Sequence, residues 1–311
     1  MFKIPPKSWG QLKQVDRQHY HYLREVLIPM LPRSRRILET INAYLNNCFD
    51  IWDHFYVPKG EEFTNLSGIV VALMNEYSVI TFLSKEKDVD KVLKIIDETI
   101  NWNIYIKFGP LADWYISGMI ELCQKHGKFE FNVEVKQFEN VDVARLGEVK
   151  SSIKNIASSS SIQEFPITTR FQAKNGQTLF AKPLGPEYAN FFNDNWKFKS
   201  DTSFLWIQSQ CQSNMAFGIF TSLDSNDDFK EPISWIMTYK YCALGLLKTK
   251  EDWHGNGCAM ACIKALSNYL PKFGITPYCF IEDFNQISMS LFEKLGFEKK
   301  HSCSWLIYLH T

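Results

Sequence analysis

The sequence predicts a mixed α/β (α+β) fold in two halves. Three observations point there. Segments with the period of a strand alternate along the chain with segments that have the period of a helix. The chain has 311 residues, which at about 100–200 residues per domain is room for two. Near its middle stand Ser151, Ser152 and the run Ser158 to Ser161, which cannot bury apolar surface and reads as a linker. The boundary expected there divides the chain into 1–155 and 156–311.

The elements follow in order. Residues 18–31 carry Tyr20, Leu23, Val26, Leu27 and Met30 at helical spacing, and 34–45 repeat the pattern with Ile37, Ile41, Tyr44 and Leu45. Strands are expected at 68–74 and 78–83, which are rich in Val, Ile and Phe. An amphipathic helix spans 88–100, with Val89, Val92, Leu93, Ile95, Ile96 and Ile100 on one face. Residues 103–108 alternate as a strand, 111–125 read as a helix, and 129–135 as another strand. The second half restarts with a hairpin over 171–180, where Asn175-Gly176 suits a tight primed turn. Helices are expected near 186–195 and 200–210, and strands at 215–222 and 233–248, the latter long enough for two with a turn near Lys240. Helix 257–270, strand 277–282, helix 286–295 and strand 302–309 complete the chain. The halves share a rough order of elements, but no residue-level repeat is visible.

Composition narrows the function. The 34 Lys+Arg balance 34 Asp+Glu, so the cation surplus of a general nucleic-acid binder is missing and no nucleic-acid partner is expected. Hydrophobic residues at 45% and charged residues at 22% are ordinary globular values. The 24 Phe, 13 Tyr and 9 Trp supply large cores and material for an apolar ligand groove. The 8 cysteines include no Cys-x-x-Cys pair, and reduced thiols in an intracellular protein are expected. No stretch approaches 18 consecutive apolar residues, so no membrane partner is expected. Lys3, Lys7 and Lys13 without an acid hint at organellar import, while Pro5-Pro6 opposes the helix import requires. The cytoplasm is the expected compartment, with the mitochondrion as the alternative, and a monomer or weak dimer the expected state.

The sharpest feature is the stretch from Thr249 to Ala259, with His254-Gly255-Asn256-Gly257-Cys258-Ala259 at its centre. It leaves a β-rich segment and opens a helix. Gly255 and Gly257 allow close backbone approach, and the unpaired N–H groups of the first turn with the helix dipole make an anion cradle. A tight two-glycine turn with no ligand is the alternative. Neither a Walker A loop nor a complete dinucleotide-binding glycine pattern is present. Downstream, Asn285 is a good N-cap for a helix carrying Ile287, Leu291 and Leu295, and Gly296 a natural stop.

Taken together, these features resemble the Gcn5-related N-acetyltransferase (GNAT) superfamily. Its pyrophosphate loop, Gln/Arg-x-x-Gly-x-Gly/Ala, is matched by His254-x-x-Gly257-x-Ala259. Its helix ending in Tyr-x-x-x-Gly-Phe is matched by Phe292 through Gly296-Phe297. Within it, the glycine N-acyltransferase family looks most similar. Glu231-Pro232-Ile233-Ser234-Trp235 resembles that family's Pro-Val-Ser-Trp strand, and Asn190 to Phe198 its Asn-x-x-Trp segment. Phe273 to Tyr278 resembles its Gly-Phe-Pro-x-Tyr stretch, and Cys303-Ser304-Trp305 its closing strand. The resemblance covers residues 180–309.

The resemblance implies a mostly antiparallel twisted sheet flanked by helices, with two GNAT-like halves in tandem and the first half degenerate. It implies acyl-CoA or acetyl-CoA as co-substrate and transfer of its acyl group to a small amine such as glycine or another amino acid. A protein or peptide N-acetyltransferase and a catalytically impaired acyl-CoA-binding sensor or scaffold are the alternatives. Leu247, Lys248 and Thr249 match the strand that bonds the pantetheine chain. His254, Gly255, Asn256, Gly257, Cys258 and Ala259 match the pyrophosphate loop, Asn285 the Asn beside the pantetheine arm, and Phe292 the position where many members place a Tyr acid. The family's strand Glu has no counterpart within 239–249. Glu282 is the replacement base, with Tyr241 and Tyr239 as further candidates. No metal is expected: Cys258, Cys262, Cys279, His301 and Cys303 read as packed side chains. Arg33, Arg35 and Arg36 read as a solvated helix start.

Overall fold

The computed structural model describes residues 8–48, 53–74, 79–140, 168–200, 203–222 and 230–310. The serine run and the boundary expected at 155/156 lie outside the described residues. The first half contains β1 (Ser8–Trp9), β2 (Leu12–Gln14), α1 (Tyr20–Leu27), α2 (Arg35–Leu45), β3 (His54–Pro58), β4 (Val70–Met74), β5 (Val79–Leu83), α3 (Val89–Thr99), β6 (Ile106–Ala112), α4 (Ile116–His126) and β7 (Lys128–Asn140). The second contains β8 (Thr169–Gln172), β9 (Thr178–Pro183), α5 (Ala189–Asp194), α6 (Ser203–Gln212), β10 (Ala216–Phe220), β11 (Ser234–Thr238), β12 (Leu244–Thr249), α7 (Cys258–Tyr269), β13 (Tyr278–Glu282), α8 (Gln286–Glu293) and β14 (Phe297–Leu309). The order is the same in both: two strands, two helices, three strands, helix, strand, helix, strand. The duplication invisible in the residues is plain in the topology.

The described strands join one 14-stranded sheet, ordered β1-β2-β3-β4-β5-β6-β14-β7-β13-β12-β11-β10-β9-β8. Pairing is antiparallel except at β5/β6 and β12/β13, the same place in each half. The last strand of each half crosses into the other. β7 pairs with β13, β14 pairs with β6, and the two run together from Phe297↔Asn140 to Leu309↔Lys128.

Helices cover both faces of the sheet. α3 buries Val92, Ile95, Ile96 and Thr99, positions that line one helical face, and turns Lys91, Lys94 and Glu98 to solvent. β10 and β11 are buried along their whole length, as strands covered on both faces are. Each fully buried Leu, Ile or Phe contributes about 1.5–3 kcal/mol. No helix among the described residues is long and apolar enough to cross a membrane.

Three expectations need correction. The hairpin at Asn175-Gly176 forms, but not through a primed turn: Gly176 has positive φ and Asn175 does not, Gly176 N–H donates to Ala173 O at 3.0 Å and Ala173 N–H to Gln177 O at 2.9 Å, so the loop has three residues, Lys174 to Gly176. The strand expected at 103–108 lies at Ile106–Ala112, and the helix after it begins at Ile116 rather than 111. Phe108, Leu111 and Ala112 fit either period locally, and pairing with the distant β14 (Leu111↔Ser304, Ala112↔Cys303) decides for strand. Nor are Arg35 and Arg36 solvated: both are buried. Arg35 donates to Glu139 through Nε (3.0 Å) and Nη2 (2.9 Å), and through Nη1 to Glu39 (2.8 Å) and Thr276 Oγ1 (3.3 Å). Arg36 donates to Thr81 Oγ1 (2.9 Å) and to Gly109 O, with the Tyr241 ring centroid 4.3 Å away. α2 therefore fastens to β5, β6, β7 and the approaches to β12 and β13.

Candidate functional site

The site begins with a distortion in β12. Trp235 pairs with Lys248 and Met237 with Gly245, so Leu246 and Leu247 stand against Ile236 alone. This is a β-bulge, with Leu246 at φ 49, and a bulge bends its strand. On its other side β12 pairs with β13 at Leu244↔Cys279 and at no other described pair. Beyond that point the strands part, leaving a wedge bordered by the backbone of Gly245 to Thr249.

β12 leads to the glycine loop at the mouth of the wedge. Gly255 (φ +76) and Gly257 (φ +85) hold left-handed backbone, and a Cβ added at either meets nothing within 4 Å. Both positions face open space. Gly257 caps α7 without a side-chain bond, and Ala261 N–H donates to Gly257 O at 3.0 Å. The amides of Gly257 to Met260 belong to the unbonded first turn and point out along the helix axis, where the dipole is positive, while Asn256 N–H donates to Trp253 O at 3.4 Å. Cys258 is buried and Ala259 half-buried, so no bulky side chain covers the turn. His254 folds back, its Nε2 3.0 Å from Thr249 O. The Asn256 side chain donates to His254 O (3.4 Å), and the Asn256 main-chain carbonyl accepts from Lys174 N (3.4 Å). The expected loop residues thus form one continuous surface with Thr249.

On the opposite bank, Asn285 accepts from Ser288 N at 3.0 Å and caps α8, while its own N–H donates to Glu282 O at 2.8 Å. Phe292 is buried against Phe297, ring centroids 4.9 Å apart, and belongs to the core. Glu282, three-quarters buried, receives Lys197 Nζ at 3.1 and 3.3 Å. Lys248 is exposed, its Nζ 3.4 Å from Asn195 Oδ1. Tyr241 is set apart from the loop. Its ring stacks on Tyr239 (5.2 Å) and faces Arg36, and burial pushes its phenol well up. Burial also pushes the Tyr239 phenol up, to about 12. Both keep their protons near neutrality.

The segment Asn195-Trp196-Lys197 also belongs to the site, reaching across to Lys248 and Glu282. The available signal was the Asn-x-x-Trp resemblance, which carried no role for Lys197.

The equivalent place in the first half is built differently. β4 and β5 pair from Val70↔Leu83 to Met74↔Val79 without a bulge. No glycine follows β5, and the approach to α3 carries Glu86, Asp88 and Asp90, which repel an anion from that helix end. Arg36 bonds to both β5 and β6 there, through Thr81 and Gly109.

Residues 217–306 match the family model described as FR47-like protein. The chain also aligns with the X-ray structure of a Drosophila protein, at 16% identity and a TM-score of 0.71, over 96% of this chain and 99% of that one. A GCN5-related N-acetyltransferase from Sphaerobacter thermophilus aligns at 10% identity and a TM-score of 0.50, over 98% and 96% of the two chains. Among curated proteins none matches. The chain shares its fold with this GCN5-related N-acetyltransferase, and its order of elements is laid down twice; identities this low speak for the fold alone.

Proposed function

We propose that the second half is an acyl-CoA-dependent N-acyltransferase, moving an acyl group from coenzyme A to the amine of a small acceptor such as glycine or another amino acid. The observation that carries this reading is the asymmetry between the halves. Among the described residues, a bulged strand running into a glycine-lined helix start occurs in the second half and not at the equivalent place in the first. The first half, residues 1–155 in this reading, is the degenerate partner of an acyl-CoA-binding unit at 156–311. The finer likeness to glycine N-acyltransferases rests on the sequence motifs.

In this reading the amides from Gly255 through Ala259 cradle the pyrophosphate, which needs backbone N–H groups and a helix dipole rather than side-chain cations. His254 and Asn256 shape that loop. The freed edge of β12 at Leu247, Lys248 and Thr249 bonds the pantetheine arm, with Asn285 opposite and Phe292 supporting its helix. An amide of the same edge suits the thioester oxygen as charge develops there. The acceptor amine must lose a proton to attack the carbonyl carbon. Glu282 is the carboxylate at the wedge able to take it; Tyr241, the second candidate, ranks below it because burial keeps its own proton on near neutrality. The thiolate of coenzyme A leaves with the bonding electrons.

One observation favours the alternative of a catalytically silent acyl-CoA binder: Glu282 is already engaged by Lys197. A single experiment separates the two. Melting is followed with coenzyme A, acetyl-CoA and longer or aromatic acyl-CoAs, and thiol release is then assayed over a panel of amines that includes glycine. The proposal expects stabilisation of about 2.7 kcal/mol at a hundredfold excess over Kd, with thiol released for a subset of amines. Stabilisation without release selects the silent binder, and no stabilisation ends both readings.

A further inference from the structure

A second cavity lies at the junction of the halves, beneath the start of α2. It is small and open to solvent at its mouth, and Arg33, Arg36, Thr81, Gln137, Phe280 and His301 contribute to its walls. No carboxylate is among the described residues that line it. Arg35, one residue away, is neutralised by Glu39 and Glu139. Arg33 is exposed and lies 4.3 Å over the Trp114 ring, with no ion pair among the described residues. Arg36 brings a second guanidinium to the inner end, among Thr81 and the rings of Tyr241 and Trp305. His301 Nδ1 is buried there with no hydrogen-bond partner. An orphaned buried polar atom costs about 1–3 kcal/mol, and two cations around a cavity of low dielectric attract an anion strongly.

We propose that this cavity binds a small carboxylate. Its oxygens accept from the Arg33 guanidinium at the mouth and from His301 Nδ1–H within, in the field of Arg36. Guanidinium groups match the planar, two-oxygen carboxylate. Ile37, Phe82 and Leu83 supply apolar walls for a short carbon stem, which inorganic phosphate lacks. This inference does not depend on the acyltransfer reading, because Gly255, Gly257 and the free edge of β12 take no part in it.

The test uses the full chain at constant ionic strength. Acetate, its neutral isostere acetamide and inorganic phosphate are titrated while Trp fluorescence and melting temperature are recorded. Acetate is expected to give a saturable change in both signals, with acetamide silent and phosphate at least fivefold weaker. Arg33→Gln, at an exposed position, is expected to fold as the parent does and to weaken acetate binding at least tenfold, while Arg33→Lys restores part of it. A His301→Phe variant, which lacks the inner donor, is expected to bind acetate more weakly than the parent. Equal responses to acetate and acetamide, phosphate binding as tightly as acetate, or an unchanged acetate affinity in Arg33→Gln overturns the proposal.

Discussion

Glu282 closes β13 with its carboxylate against Lys197, a residue 85 positions earlier in the chain. The lysine side of that pair is largely exposed, and such pairs contribute about 0.2–1 kcal/mol, too little to explain the arrangement by stability. Glu282→Gln keeps the shape and removes the basicity. It is expected to lower thiol release by about 10²–10⁴-fold while coenzyme A still raises the melting temperature by the parent amount. An unchanged rate would remove Glu282 from the mechanism. The residue was legible in the sequence as an acid at a strand end, but its partner was not, because nothing local connects positions 197 and 282. His301 belongs to the same scale. Burial, and after it the nearby Arg33, holds its imidazole down to about 4, against 6.5 ordinarily. Between those values the unfolded chain takes up a proton that the folded one refuses. Stability is therefore complete above about pH 6.5 and falls as the pH drops toward 4. Urea midpoints measured across this window should decline more steeply in the parent than in His301→Gln; superimposable profiles refute the assignment.

At the scale of elements, the glycine loop was readable and the bulge was not. Gly255 and Gly257 stand between a β-rich run and a helix pattern, so their turn announces itself locally. The bulge at Leu246 and Leu247 exists only relative to the register of β11, which no single strand specifies. Gly257→Glu tests the loop. Left-handed backbone costs an L-residue about 1–2 kcal/mol, and its Cβ meets nothing within 4 Å, so the variant should fold with a small loss. Its carboxylate stands where the anion is proposed to lie, and stabilisation by coenzyme A should vanish. Retained stabilisation in a folded variant would place the cofactor elsewhere.

For the whole molecule, the exchange of β7 and β14 makes the halves interdependent, and Arg35 is the polar pin at their junction. It ties α2 to Glu139 on β7 and to Thr276 ahead of β13. Burial pushes the Glu39 carboxyl up and Arg35 draws it back down. Arg35→Ala strands Glu39 and Glu139 in the interior, and breaking a buried pair in this way costs about 3–5 kcal/mol. A single unfolding transition at a clearly lower urea midpoint is expected. A loss below 1 kcal/mol would mean that the junction does not depend on this network.

The amino-acid sequence by itself determined the alternation of elements, the amphipathic face of α3, the hairpin at Asn175-Gly176 and the glycine loop, because each depends on neighbours within a few residues. Tertiary structure alone decided which strands exchange, where β12 leaves β13, that Arg35 and Arg36 are buried, and that the first half lacks the bulge its twin has. Those outcomes depend on pairings and desolvation between segments far apart in the chain, where the same local pattern admits either answer.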